Sequence, residues 1–246
     1  MKIIIAEKNF DGLCAALFLS FTEKILPDNV IDKTVYQPSL DSETFEAPSL
    51  KAKTARVASA IFRYGGDPAV GRLKTCLLSS DENAFFISFK YARKLLESRQ
   101  DISDMLSDKD VTIFNFTVDK VLKEKHRLHG FIRFTVTESG VLYAPISPDN
   151  DVTELVAPHF LKRLGNTPFV IHDVRRNRYA ISDGKKLFTG TTEKQATIKS
   201  SEQEKEFLSL WRRYFKTVAI EERKNLRQQD SYMPRRYRKF MPETFE

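Results

Sequence analysis

The chain is poor in the residues that staple, cleave or ligate. Among 246 residues there are two cysteines, one tryptophan, four methionines, four histidines and nine glycines. Cys14 and Cys76 stand far apart, which excludes a disulfide framework and a cysteine-built zinc ribbon. A Cys-x-x-x-Cys-x-x-Cys cluster of the radical-SAM kind is missing, as are the phosphate loop G-x-x-x-x-G-K-[ST], the dinucleotide fingerprint G-x-G-x-x-G and the G-x-S-x-G elbow. No cofactor is therefore expected. The longest apolar run, Cys14 to Leu19, falls far short of the roughly 20 residues that span a bilayer. Met1–Ile5 breaks at Ala6-Glu7-Lys8, too early for a secretory signal. These absences leave a cytoplasmic globular protein with no membrane segment as the expectation.

What is present is cationic charge, unevenly placed. Acids and bases balance over residues 1–150, so the whole excess of +7 lies in the remainder. Residues 211–240 alone carry ten bases (Arg212, Arg213, Lys216, Arg223, Lys224, Arg227, Arg235, Arg236, Arg238, Lys239) against three acids. They alternate with Trp211, Tyr214, Phe215, Tyr232, Tyr237 and Phe240. Cations meet phosphates and release counterions, while aromatic faces stack on unpaired bases. The same spacing also fits a helix whose aromatics, Trp211 included, face the core while its cations face water.

Periodicity predicts an α+β chain. Its first half is helical with one early strand; its second half holds a small antiparallel sheet plus helices. The division is expected near 125/126, between a mostly helical stretch over 1–125 and an α+β stretch over 126–246, unless the two form one continuous domain. Lys2–Ala6 reads as the early strand, followed by a helix over Leu13–Ile25 and a short strand at Val35–Gln37. Helices follow over Lys51–Tyr64, from Asp67-Pro68, after Asp81, and over Val111–Leu128, with Gly65-Gly66 as a stop. Phe131–Thr137 and Val141–Ile146 suggest a hairpin. A helix over Val152–Leu164, strands at Phe169–Val174, Arg178–Ser182 and Lys186–Phe188, and a loop over 189–200 complete the sheet region. Ser201 and Glu204 frame a capping box.

Four segments then resemble a known family when taken together. They are His126-Arg127-Leu128-His129-Gly130-Phe131-Ile132-Arg133-Phe134, Ala157-Pro158-His159-Phe160, Ile171-His172-Asp173, and Leu210-Trp211-Arg212-Arg213-Tyr214-Phe215. With the ending Met233-Pro234-Arg235-Arg236-Tyr237-Arg238-Lys239-Phe240-Met241-Pro242-Glu243 and the opening Asn9-Phe10-Asp11-Gly12-Leu13, the chain resembles a bacterial family classed with DNA metabolism and DNA repair, which carries a domain of unknown function. The resemblance implies a genomic association with a radical-SAM protein similar to spore photoproduct lyase, and in some relatives fusion to a uracil-DNA-glycosylase-type domain. It assigns no reaction. The chain departs from the family pattern at Pro145–Asn150 and at Arg238.

The leading expectation is a DNA-binding accessory protein working with a radical-SAM partner. Arg133, Arg175, Arg176, Arg178, Arg212, Arg213, Arg235, Arg236, Arg238 and Lys239 would contact phosphate, and Tyr237 or Trp211 would stack on a base. A hydrolase or glycosylase centred on His126, His129, His172 and Asp173 is the enzymatic alternative, provided these residues converge in one pocket. Three arginines around the turn after Asp173 would repel a basic C-terminal segment unless an anion intervened. His159 or His172 would have to complete any metal site with His126 and His129, and no metal is expected. Asp11 reads as a helix-capping residue, and Glu138 and Asp149 as ordinary turn acids. A third possibility is an interaction subunit whose basic tail docks on an acidic partner.

Overall fold

The computed structural model describes residues 1–191, 201–218 and 225–241. Of the expected loop over 189–200, residues 189–191 belong instead to a strand, and residues 192–200, together with Arg223, Lys224, Pro242 and Glu243, lie outside the described residues. The chain divides into two compact units, Met1–Leu122 and Lys123–Glu246.

The first unit is built on a buried strand. β1 (Lys2–Ala6) is a continuous apolar run, as suits the centre of a parallel sheet. It pairs in parallel with β2 (Asn29–Asp32) on one side and β3 (Glu43–Glu46) on the other. Both flanking strands are too short and too polar to show a period of two, and their strand form comes from pairing with β1. The expected strand at Val35–Gln37 is replaced by a turn, because the Asp32 carbonyl takes up the amides of Val35 and Tyr36.

α1 (Phe10–Thr22) links β1 to β2. Its cap is Asn9, whose side chain accepts from the Gly12 amide at 2.7 Å, and Asp11 sits inside the first turn rather than capping it. Gly12 is required by close approach, since a Cβ there would lie 2.0 Å from the Glu7 carbonyl oxygen.

α2 (Lys51–Leu77) is kinked at Gly66, which takes φ +66°, and Pro68 restarts it. α3 (Ala84–Ser98) and α4 (Lys109–Phe131) follow. Leu13, Leu17, Ile61, Leu73, Phe85, Phe89, Leu95 and Phe114 are buried together with Ile4. Tyr91 stacks on Phe114 with centroids 3.8 Å apart, and its hydroxyl is buried without a partner.

In the second unit, β4 (Thr135–Val136), β5 (Leu142–Ile146), β6 (Phe169–Asp173), β7 (Arg178–Ser182) and β8 (Leu187–Thr191) form one sheet in sequence order. Three ladders are antiparallel, as expected. The exception is β5 with β6, which run parallel because α5 (Thr153–Leu164) carries the chain back between them. α5 lies on the face that carries Phe169 and Arg178. Phe134 bridges it there, edge-to-face with Phe160 on one side and Phe169 on the other.

Beyond the sheet come α6 (Glu202–Val218), α7 (Leu226–Tyr232) and the short α8 (Arg235–Arg238). The Ser201 hydroxyl caps the Glu204 amide at 3.2 Å, half of the expected capping box. The Ser201 amide is used elsewhere, on the Val136 carbonyl. The α+β class is as the periodicity predicted. Among the described residues, no helix is long and apolar enough to cross a membrane.

The unpartnered Tyr91 hydroxyl gives a direct test. Tyr91→Phe is expected to stabilise the protein by about 1 kcal/mol, because an unsatisfied buried hydroxyl is removed and the stack is kept. Gly12→Ala is expected to cost about 3 kcal/mol by overpacking α1 against the end of β1. Urea unfolding of both variants measures the two effects.

Candidate functional site

The second unit is organised around a carboxylate. Glu124 lies on the buried face of α4 between Val121 and Leu128, and its side chain is 4% exposed. Oε1 accepts from the Tyr237 hydroxyl at 2.6 Å and from the Asp149 amide at 2.9 Å. Oε2 accepts from the Asn150 amide at 2.7 Å and from the Asn150 side-chain amide at 2.6 Å. Burial alone would raise this carboxyl's pKa, but the hydrogen bonds from Tyr237, Asn150 and Asp149 outweigh it and hold the group below its ordinary value. The same contact, after burial, pushes the Tyr237 hydroxyl upward, so it keeps the proton it donates.

Arg236 completes the cluster. Its Nη2 lies 2.9 Å from Asp149 Oδ2 and 3.6 Å from Glu124 Oε1, and its guanidinium sits over the Tyr237 ring. The basic, proline-bracketed ending is therefore a fixed element seated on the Pro148–Asn150 turn. Asp149 is a structural anchor rather than an ordinary turn acid.

A second buried carboxylate fixes the β6–β7 turn. Asp173 Oδ1 accepts from the amides of Arg175 and Arg176, and Oδ2 from Arg176 Nη1 at 2.9 Å. The Arg176 guanidinium also donates to the carbonyls of Pro148 and Asp149. Arg176 and Arg236 thus converge on one turn, and the carboxylates of Asp149, Asp173 and Glu124 relieve the repulsion that otherwise required an outside anion. Arg178 pairs with Asp151 at 2.6 Å and Glu154 at 2.5 Å, tying β7 to α5.

These contacts correct several expectations. Asp173 is held by its own turn and has no free oxygen for acid–base work. Tyr237 is 4% exposed and cannot stack on a base, because its hydroxyl is drawn inward to Glu124. Arg176 and Arg178 are committed to internal partners. Arg133 lies on no strand; its guanidinium folds back on the Gly130 carbonyl at the end of α4. Arg238 pairs with Asp230 at 2.5 Å, as does the far more exposed Arg235 at 3.0 Å. Arg175, Arg212, Arg213, Arg235 and Lys239 remain exposed. Trp211 is exposed too and is not core.

The histidines fall into two groups. His129 stacks on His159 at 4.0 Å, with His126 at 6.5 Å. Burial, and then the electrostatic influence of His159, Lys125 and His126, lowers His129 to about 4, so it is neutral at pH 7. His172 stacks on Tyr179 at 4.1 Å. The Tyr143 hydroxyl lies 2.7 Å from its Nδ1, and Asn177 Oδ1 lies 3.3 Å from its Nε2. Burial lowers the His172 pKa, against a smaller opposing pull from Asn177 and Asp173, and raises Tyr143 to about 12. Tyr143 therefore donates to Nδ1, and Nε2–H donates to Asn177. Both ring nitrogens are occupied.

Among the described residues, no ring contact or hydrogen bond joins the two histidine groups. Nor, among those residues, are three His, Cys, Asp or Glu side chains grouped to hold a metal ion. Glu124 itself was legible only as an acid sitting in the apolar stripe of a helix. Its partners Asn150 and Tyr237 are remote in sequence, and no spacing rule connects them.

The sign of the pH dependence follows from Glu124. Its folded pKa lies below the ordinary 4.5, so the stabilisation is complete above that value and is lost as pH falls through the folded pKa. Glu124→Gln is expected to cost about 2–3 kcal/mol at pH 7, with the gap to wild type closing in acid; Tyr237→Phe is expected to cost about 1–3 kcal/mol. Urea unfolding across pH 3 to 7 reads both, on the scale over which carboxylates titrate.

A comparison with curated proteins finds no match. A family model described as a domain of unknown function, DUF4130, matches residues 82–243. That span runs from the turn before α3 through the whole sheet of the second unit to the basic ending. It holds Glu124, Asp149, Asn150, Asp173 and Tyr237 together, and it is well over half of the chain, which therefore belongs to the DUF4130 family.

Proposed function

We propose that this protein is a DNA-binding accessory factor in repair or modification that presents cations to phosphate from its C-terminal region. The observation that carries this reading is the anchoring of the basic ending. Tyr237, sealed on Glu124, fixes α8 so that Arg235 and Lys239 project from a rigid element rather than a loose tail. Arg235 has 83% of its side chain exposed. Arg175 on the β6–β7 turn and Arg212 on α6 are further exposed cations of the second unit. Arg176, Arg236 and Arg238 are positioning residues, held by carboxylates, that set the geometry of their exposed neighbours. Contacts of this kind position a protein on nucleic acid and carry little sequence information.

The partner follows from the resemblance: a radical-SAM enzyme that supplies the chemistry. In keeping with this, both cysteines are buried, and burial pushes Cys14 to about 12 and Cys76 to about 11. Neither offers a thiolate at neutral pH for a cluster or a nucleophilic step.

Fluorescence anisotropy against single- and double-stranded DNA oligomers, titrated across salt, tests the reading. Wild-type affinity is expected to fall steeply with salt. Replacing Arg212, Arg235 and Lys239 with Gln should flatten the logarithmic slope by about 2–3, since each lost phosphate contact removes about 0.7–0.9. Tyr237→Phe should weaken binding at unchanged charge, through the released segment. Wild-type protein that fails to bind at low salt, or triple-variant binding of unchanged affinity and slope, overturns the proposal.

A further inference from the structure

α6 carries an apolar surface that nothing among the described residues of the second unit covers. Ser201 and Glu204 attach its start, and Glu204 is buried. Beyond them, Phe207, Leu210, Trp211, Tyr214 and Val218 are exposed at 61, 61, 38, 57 and 51%. At 100° per residue these five occupy an arc of about 100°, the width of a buried helical face. Trp211 and Tyr214 touch each other, with centroids 5.7 Å apart, and so extend the stripe as one surface. Single exposed apolar side chains are ordinary; a contiguous stripe of five marks an interface.

The charges beside the stripe indicate what covers it. Glu206 and Arg213 are exposed, two turns apart, and lie on the same flank. When two identical helices pack antiparallel about a two-fold axis, like flanks meet. With the axis near Leu210, Glu206 of each copy then faces Arg213 of the other, and the ion pair forms twice. A parallel pairing brings opposite flanks together and separates these two residues. The acids-first, bases-last order that suits the helix dipole therefore also makes the surface complementary to itself.

We infer that α6 pairs antiparallel with α6 of a second copy of this chain, burying Phe207, Leu210, Trp211, Tyr214 and Val218 and closing Glu206–Arg213 ion pairs across the two-fold axis. The surface is small, so the dimer is reversible, with dissociation in the micromolar range. This pairing does not depend on nucleic acid. It leaves the short basic helix α8 outside the interface, so each dimer presents two copies of the basic element.

Sedimentation equilibrium of the full chain without DNA tests the inference. Wild type is expected to be a concentration-dependent dimer. Leu210→Asp should abolish it, because the substitution places two carboxylates on the axis. Arg213→Glu should weaken it about tenfold, since two attractions become two repulsions. Combining Glu206→Arg with Arg213→Glu should restore wild-type dissociation to within about threefold, which misfolding would not do. All of these positions are exposed, and unchanged circular dichroism confirms the fold. A wild-type monomer at about 100 µM overturns the inference, and so does a dimer that Leu210→Asp leaves intact or a charge reversal that the double variant fails to rescue.

Discussion

A carboxylate cannot be taken out of water without donors to replace the solvent. Glu124 meets that demand with hydrogen bonds from three residues and a guanidinium nearby, and the Pro148–Asn150 turn and the C-terminal segment are drawn together by meeting it. The Pro148–Asn150 turn must offer two consecutive amides. Tyr237 must come inward, which brings α8 with it. Arg236 then falls beside Asp149, and Arg176 reaches the same turn from the other side through the Pro148 and Asp149 carbonyls. Helix end, turn and C-terminal segment are three distant pieces of sequence, and the need to solvate one buried charge makes them neighbours.

The charge pattern changes meaning in this light. Counted along the chain, residues 211–240 are a dense cationic run. In the fold, Arg236 and Arg238 are answered by Asp149 and Asp230, and Arg176 and Arg178 by Asp173, Asp151 and Glu154. Desolvation raises Asp151 despite Arg178 and Arg176, a sign that the pairing is internal rather than surface decoration. The arginines therefore differ in how far they are committed to internal partners: Arg176, Arg178 and Arg238 are largely covered by theirs, whereas Arg235 shares Asp230 and keeps most of its side chain exposed. Net charge alone does not show this difference.

Legibility in the sequence followed the range of the interactions. Helices with a continuous apolar face were readable, as were the Gly65-Gly66 break, the Ser201 cap and the central strand Lys2–Ala6, because each is set within a few residues. β2 and β3 were not, since Asn-Val-Ile-Asp and Glu-Thr-Phe-Glu hold no period and exist only by pairing with β1. The parallel register of β5 with β6 was hidden for the same reason. Tyr237 was noticed for its place in a basic run, which suggested exposure; its burial is decided by a residue on α4. The histidines were noticed for their chemistry, and packing determines their state: a ring stacked on another ring and hydrogen-bonded at both nitrogens, as His172 is, has no lone pair or proton to lend.

The two surfaces proposed as interfaces depend on specific attachments. The basic α8 is seated by the Tyr237 hydroxyl on Glu124 together with Arg236 on Asp149, and among the described residues the start of α6 is tied to β4 by the Ser201 amide on the Val136 carbonyl. Such attachments contribute only about 1–3 kcal/mol each to global stability, yet they set where a cationic helix and an apolar stripe point. A change at Tyr237 or Ser201 removes neither charge nor apolar surface; it removes placement. Loss of binding with composition intact would therefore separate a positioned interface from a merely sticky one, and would trace the proposed placement to the buried carboxylate.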